Sequence, residues 1–299
     1  MRTRLRQLLA QPGIVVAPGA YDALLARLVE RAGFAAVYMT GSGISASTLG
    51  QPDLGLVSFA EMAQRAGYIA GAVDIPVIAD ADTGYGGVHN VARTVRAYER
   101  AGVAALHLED QASPKRCGHF EGKTLIPVEE AAAKIRAAVQ ARSDPELVII
   151  ARTDARTAAG GGLDEALRRA HVFLKAGADA LFIESPLSVD ELRTIGAELK
   201  GVPLLANMVE GGRTPLLTND ELGALGYKIV IYANFLTRSL AKTAVALLER
   251  LKQDGTSRGL LDRMYSLGEF NALLGLEEYF DRERRLLGEG EAAGRSPGR

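Results

Sequence analysis

Eight short apolar runs recur along this chain, alternating with amphipathic stretches, and seven of them carry polar residues toward the C-terminal end. The eight are 14–19 (IVVAPG), 35–40 (AAVYMT), 76–82 (PVIADAD), 104–109 (AALHLE), 148–154 (VIIARTD), 180–185 (ALFIES), 203–208 (PLLANM) and 228–233 (KIVIYA). Continuous apolar runs, as opposed to strict alternation, suit parallel strands covered by helices. The segments 20–32, 59–73, 91–101, 128–141, 163–176 and 189–199 read as helices. Three of the helical stretches run into Gly33, Gly102 and Gly177, where a left-handed residue can close a helix. Eight strand–helix units of this size predict an α/β chain folded as one (β/α)8 TIM barrel over 1–299. The rival, an open doubly wound sheet, would show a glycine-rich dinucleotide fingerprint after its first strand; PGAYD at that place does not match.

The barrel pattern ends before the chain does. From about 238 onward the sequence reads as a helical extension with no further strand, more than an eighth helix needs. Residues 260–280 are rich in Leu, Phe, Tyr and Met and are expected to pack on a neighbouring subunit. The tail 288–299 (GEGEAAGRSPGR) is small and polar and is expected to be disordered. The basic start MRTRLRQLLAQPG has too short an apolar part for a signal peptide and reads as a first helix. The triple glycine at 160–162 marks a flexible loop.

Composition narrows the function classes. Apolar residues at 47% can fill a large core, and a net charge of −1 gives no field that would draw nucleic acid or an anionic membrane. No run approaches the length needed to span a bilayer. The single cysteine excludes an internal disulfide framework and multi-cysteine metal sites, which points to a reducing cytoplasm and leaves the thiol free for chemistry.

The polar strand ends carry the chemistry. They read Tyr38-Met-Thr40, Asp80-Ala-Asp82, His107-Leu-Glu109, Arg152-Thr-Asp154, Glu184-Ser185, Asn207 and Tyr232. Residues two apart on a strand share a face, and the C-terminal rim of a barrel is its catalytic face. Several carboxylates in one partly buried mouth repel each other and resist desolvation, which a hard cation relieves. Oxygen donors without a His/Cys cluster favour Mg2+, with Mn2+ as a substitute, and single out Asp80, Asp82 and Glu109. One such acid alone would read as a helix cap or a surface ion pair.

The loop Ser113-Pro-Lys-Arg-Cys-Gly-His-Phe120 places the only thiol, Cys117, beside Lys115, Arg116 and His119. Neighbouring positive charge lowers a thiol pKa and suits it to proton transfer. A lone cysteine is otherwise often a small buried hydrophobe; nucleophilic catalysis would need a base–orienter pair beyond His119. The glycine-rich end Thr40-Gly41-Ser42 offers backbone N–H groups to a carboxylate. Asn207 with Gly211-Gly212-Arg213 can serve an anion in the same way, which leaves a phosphate-bearing ligand open.

The segments MTGSGISASTLGQPDLG (39–55), IADADTGYG (78–86), LHLEDQASPKRCGHFEGK (106–123), IARTDAR (150–156) and LLANMVEGGRTP (204–215) resemble the isocitrate lyase/phosphoenolpyruvate mutase superfamily, in its methylisocitrate lyase and carboxyphosphonoenolpyruvate phosphonomutase branches. PKRCGH after LED is the most specific of them, and the resemblance runs from about residue 18 to about residue 232. It implies a (β/α)8 barrel with the eighth helix exchanged between subunits and a homotetramer of paired dimers. It implies Asp80 as the direct ligand of Mg2+, Asp82 and Glu109 acting through water, and Asp53 as a further acid nearby. By the same resemblance Thr40, Gly41, Ser42, Asp53, Arg152, Glu184 and Asn207 bind substrate. Cys117, with Arg116 and His119 in its loop, protonates the leaving carbanion, and Tyr38 stands near the reacting hydroxyl.

The activity so implied is Mg2+-dependent C–C cleavage of a small 2-hydroxy di- or tricarboxylate of the 2-methylisocitrate or 2-alkylmalate type. A P–C phosphonomutase, an oxaloacetate decarboxylase and a non-catalytic metabolite-binding barrel are the alternatives. Three departures lie near the pocket: Ser42 where more glycine is usual, Tyr232-Ala-Asn-Phe235 where a Tyr-Pro pair is commoner, and Ser-Pro after Glu184.

Overall fold

The computed structural model describes residues 1–288, in two compact units that divide after Ser239. The first unit is a closed barrel of eight parallel strands in sequence order: β1 (Val15–Ala20), β2 (Val37–Met39), β3 (Val77–Asp80), β4 (Ala105–Glu109), β5 (Val148–Thr153), β6 (Ala180–Ile183), β7 (Leu204–Asn207) and β8 (Ile229–Tyr232). Each lies inside or within a residue of its expected run. The helices are α1 (Arg2–Ala10), α2 (Ala23–Arg31), α3 (Gly41–Leu49), α4 (Phe59–Ala70), α5 (Val88–Ala101), α6 (Val128–Ala141), α7 (Leu163–Lys175), α8 (Val189–Glu198), α9 (Asn219–Ala224) and α10 (Phe235–Asp254), which continues into the second unit.

The apolar residues divide into two layers, as strand alternation requires. One fills the barrel: Val15, Tyr38, Ile78, Ile150, Phe182, Leu205 and Ile231 point inward, and Leu5 of α1 joins them, fully buried. Helix α1 closes the N-terminal end, fastened by Arg2 to Val103 O and by Arg6 to Glu146 O and Asp179. Truncating Leu5 to Ala would destabilise this unit by about 2–5 kcal/mol through the cavity left behind. The other layer lies between strands and helices, with Met62, Ile69, Val95, Ile135 and Phe173 among its residues.

Local chemistry sets the helix ends. Ser58 with Glu61 and Thr218 with Glu221 form reciprocal capping boxes at α4 and α9. Gly33 and Gly102, at φ +86° and +94°, end α2 and α5 in the left-handed region open to glycine. The 160–162 glycines form a hydrogen-bonded turn: Gly161 N bonds Ala158 O and Gly162 N bonds Ala155 O.

The second unit carries most of α10, a 3-10 turn (Arg258–Arg263), α11 (Leu267–Leu273) and α12 (Leu276–Leu287). No residue of α10 or α12 is buried. Of the tail expected to be disordered, Gly288 closes α12 and the remainder lies outside the described residues.

Candidate active site

Strand register brings the polar ends together. Asp80 pairs with His107 across β3 and β4, and Glu109 with Arg152 across β4 and β5, so each pair leaves the barrel wall at one level. Strand β3 stops at Asp80. Asp82 stands beyond it with φ +47°, a conformation worth about 1–3 kcal/mol of strain. Its amide donates to Asp80 Oδ1 at 2.9 Å, which keeps the two carboxylates adjacent. Gly41 makes room for them: a β-carbon there would stand 2.5 Å from Asp80 Oδ2.

At the inner end, Tyr38 OH lies 2.8 Å from His107 Nε2 and 3.4 Å from Asp80 Oδ2. Burial pushes His107 down to about 4, so the ring is neutral, and its tautomer sets which of Nε2 and the phenol donates. Burial and the charge of Asp80 hold Tyr38 well above the usual phenol value.

Lys115 sits among the acids. Its Nζ is 2.5 Å from Asp53 Oδ1 and 2.5 Å from Asp82 Oδ1. Burial opposes its charge, but Asp82, Glu109, Asp53 and Asp80 raise it well above the ordinary lysine value. Even so the acids remain under-compensated. Burial, outweighing Lys115, pushes Asp82 up to about 6. Burial likewise carries Glu109 well above the carboxylate range despite Arg152, and Glu109 Oε1 is buried without a hydrogen-bond partner. Four carboxylates with this residual charge and an unsatisfied oxygen fit a hard divalent cation. Among the described residues no three His, Cys, Asp or Glu groups stand as a formed metal site.

Arg152 is the hub of the opposite wall. Its Nε and Nη2 form a fork on Asp154 at 2.9 and 3.1 Å. Nη2 also lies 3.3 Å from Glu109 Oε2 and 3.4 Å from Glu184 Oε2. Glu184, just past β6, accepts from Asn207 Nδ2 at 3.2 Å and lies 3.4 Å from His119 Nε2.

The Cys117 loop lies over these groups. Its start is pinned where Gln111 bonds the backbone of Arg116 on both sides and where Cys117 N bonds Asp53 O. Gly118 packs so closely that a β-carbon would meet Glu184 Cγ at 2.5 Å. A cavity of about 480 Å3 opens beside the thiol, lined by Ser42, Asp53, Cys117, His119, Gly212 and Arg213.

Two sequence readings are corrected here. The flanking cations do not lower the Cys117 thiol: burial raises it to about 11, with Asp53 and Glu184 adding to the rise. Lys115 is spent on acids, and burial pushes His119 down, leaving it neutral. Arg116 is exposed and turned away, its guanidinium on Glu121 O, so it is not among the site groups. Thr40 is also more than a loop residue. It caps α3, its Oγ1 accepting from Gly43 N, so Gly41 and Ser42 form that helix's first turn. The structure brings Tyr38, Thr40, Gly41, Ser42, Asp53, Asp80, Asp82, Glu109, Cys117, His119, Arg152, Glu184 and Asn207 to one end of the barrel.

Lys115 was read from the sequence only as a cation beside the thiol, and Lys123 was not singled out.

Comparison with known proteins agrees with this geometry. Residues 5–252 match the model of the phosphoenolpyruvate phosphomutase family. The chain is 53% identical to 2,3-dimethylmalate lyase of Eubacterium barkeri over 275 residues, 92% of this chain and 94% of that one. It is 45% identical to carboxyvinyl-carboxyphosphonate phosphorylmutase of Arabidopsis thaliana (95% and 84% covered) and 45% identical to 2-methylisocitrate lyase of Aeropyrum pernix (94% and 90%). Among solved structures, 2,3-dimethylmalate lyase superposes with a TM-score of 0.88 at 40% identity, covering 100% of this chain and 98% of that one. Phosphonopyruvate hydrolase in complex with oxalate and Mg++ gives 0.87 at 35%, covering 96% and 99%. With barrel, site and sequence in agreement, the chain belongs to the phosphoenolpyruvate mutase family, within the phosphoenolpyruvate mutase/isocitrate lyase superfamily.

Proposed function

We propose that this carbon–carbon lyase cleaves a small 2-hydroxy di- or tricarboxylate of the 2-alkylmalate or 2-methylisocitrate type, with Mg2+ as cofactor and Cys117 as proton donor. The observation that carries the reading is the place of Cys117, in a loop packed on Glu184 and Arg152 at the edge of the carboxylate cluster, where burial favours the protonated thiol. C–C cleavage leaves an electron pair on carbon that must receive a proton. An isomerisation that keeps every atom in one product has no such net demand.

Asp80, Asp82 and Glu109 would hold the cation, which when bound supplies charge neutralisation and Lewis-acid polarisation of substrate oxygens. Arg152, its Nε/Nη2 fork held by Asp154 and its Nη2 also beside Glu184, supplies the positive charge that attracts a substrate carboxylate, and the α3 N-terminus offers the amides of Gly41 and Ser42. The 2-hydroxyl gives up its proton toward the Tyr38–His107 pair, the C2 oxygen becomes a carbonyl, and the C2–C3 electron pair passes to C3. Cys117 then protonates C3. The products are a 2-oxo acid and a second carboxylate, and the loop excludes competing water.

The second unit supports an assembly reading. Val245, Leu248 and Leu251 of α10 are exposed, and the first unit has an apolar groove of about 410 Å3 lined by Val16, Leu28, Val29, Phe34 and Phe235. An α10 segment donated by a second copy fits such a groove, giving helix-exchanged dimers paired into a homotetramer. No described helix is long and apolar enough to cross a membrane; with its one free thiol the protein is assigned to the cytoplasm.

The test is a product assay for pyruvate, glyoxylate and CO2 over 2,3-dimethylmalate, 2-methylisocitrate, isocitrate, oxaloacetate and phosphonopyruvate, with Mg2+ and with EDTA. A 2-oxo acid released from a hydroxy acid and lost with EDTA is expected. Turnover of oxaloacetate alone, or of the phosphonate alone, would overturn the reading.

A further inference from the structure

Lys123 closes the motif that carries Cys117, six residues beyond the thiol, and the proposed chemistry gives it no part. It is among the largest fully buried side chains of the protein. A lysine is rarely enclosed so completely unless its ammonium is paired. Here Nζ makes two contacts. One is with Asp154 Oδ1 at 2.9 Å, the same carboxylate that holds the Arg152 fork. The other is a donated hydrogen bond to the carbonyl oxygen of Gly118, the residue next to Cys117. Ser185 Oγ donates to that carbonyl too, at 3.3 Å.

The backbone of Lys123 is anchored as well, its carbonyl accepting from Ala159 N. The ammonium therefore stands on a fixed base between the Arg152 fork and the loop. Asp154 is fixed in turn by its amide on Asp110 Oδ1, and Asp110 by Arg169 at 3.0 Å. Against the effect of burial, Arg152 and Lys123 keep Asp154 well below the usual carboxylate range, so the bridge is ionic across the neutral pH range.

We propose that Lys123 is a positioning residue that locks the Cys117 loop to Asp154, so that one buried ion pair sets both the Arg152 fork and the place of the thiol. A substrate carboxylate that seats Arg152 thereby also seats the loop through Asp154. A neutral side chain at 123 would leave Gly118 O held only by Ser185 and would free the loop to lift. The thiol-position claim stands on geometry alone; its catalytic consequence rests on the proton-donor reading above.

Cys117 is the only thiol in the chain, so its alkylation reports loop position without reference to any substrate. The experiment compares the rate of iodoacetamide labelling at pH 8 in the full-length wild type, Lys123→Met and Lys123→Arg, with Lys134→Met as a control. Lys134 is a buried lysine of α6 whose Nζ donates to Thr83 O, away from Asp154 and the loop residues 117–120. Labelling about tenfold faster in Lys123→Met, intermediate in Lys123→Arg and unchanged in Lys134→Met is expected. Where a substrate is turned over, kcat should fall at least tenfold in Lys123→Met with a smaller rise in KM, since Arg152 keeps its own two bonds to Asp154. Equal labelling in wild type and Lys123→Met, or equal acceleration in the control, overturns the proposal. If Lys123→Met does not fold, Lys123→Arg decides by the same readout. Faster labelling in a protein that cleaves none of the acids would sink the lyase reading and leave this inference standing.

Discussion

Gly118 lies against Arg152 so closely that a β-carbon on the glycine would stand 2.5 Å from Nη2 of the guanidinium. The loop bearing the thiol thus closes on Arg152 with no space for one methyl group. Real β-carbons do not approach other heavy atoms to that distance, so a side chain at 118 must lift the loop or displace the arginine.

Gly118→Ala should therefore lower kcat at least tenfold while the thermal midpoint moves by only a few degrees. A shift of about 1 Å in a reacting group can cost on the order of 100-fold in rate. The loop can absorb the displacement without opening the core. Steady-state kinetics with a melting curve checks this, and turnover near wild type would show that the closed loop is not the working form.

Cys117→Ser should keep ligand binding and lose about 100-fold or more in turnover, the usual scale for removing a general acid. The thiol's own pH behaviour adds a second check. Its value, pushed up to about 11, means that the acid form persists through neutral and mildly alkaline pH. Because the thiol ionises more readily in the unfolded chain, near 9, its contribution makes stability fall as pH rises from about 9 to about 11 and leaves it flat below. Iodoacetamide labelling should climb about tenfold per pH unit up to that range; a plateau near pH 8 would mean a thiol activated by its neighbours.

Metal affinity should weaken in acid. Asp82, pushed up to about 6, carries a proton below that pH, and a cation must displace it. The folded value lies above the unfolded one, so without metal this group makes stability fall as pH rises through the interval from about 4 to about 6. The Mn2+ dissociation constant, read by calorimetry or electron paramagnetic resonance, should rise up to tenfold per pH unit below about 6. An affinity constant from pH 5 to pH 8 would remove Asp82 from the cation site.

Strand–helix alternation made the barrel legible because every strand is a continuous apolar run, most with a polar end, and no non-local information was needed to see it. The site acids were legible for the same reason: Asp80, Glu109 and Arg152 sit on strands, whose side-chain direction is fixed by a period of two. Loop residues have no such period. Arg116, Lys115 and Cys117 are consecutive in sequence, yet Gln111 turns Arg116 outward and Asp53 draws Lys115 in. The thiol's environment was misread on the same ground: Lys115 is paired with Asp53 and Asp82, burial keeps His119 neutral, and Arg116 faces solvent. Lys123 was invisible because its partner Asp154 is contributed by a different strand–helix unit, 31 residues away.

Charge placed on α10 should dismantle the proposed helix-exchanged assembly while sparing the barrel. Val245, Leu248 and Leu251 are three apart in turn, so they share one face of the helix, and Leu248 is 63% exposed. In a lone subunit Leu248→Glu would change stability by less than about 0.5 kcal/mol, since an exposed substitution removes few contacts. Against the apolar groove of a second copy the same carboxylate would be buried unpaired, which is costly enough to prevent docking. Sedimentation velocity should then show a tetramer for the wild type and a smaller species for Leu248→Glu, with circular dichroism unchanged. The groove on the barrel would be uncovered in that species, so its thermal midpoint should drop and become independent of protein concentration. A variant that sediments as the wild type does would mean that α10 does not face a partner, and the exposed stripe would need another occupant.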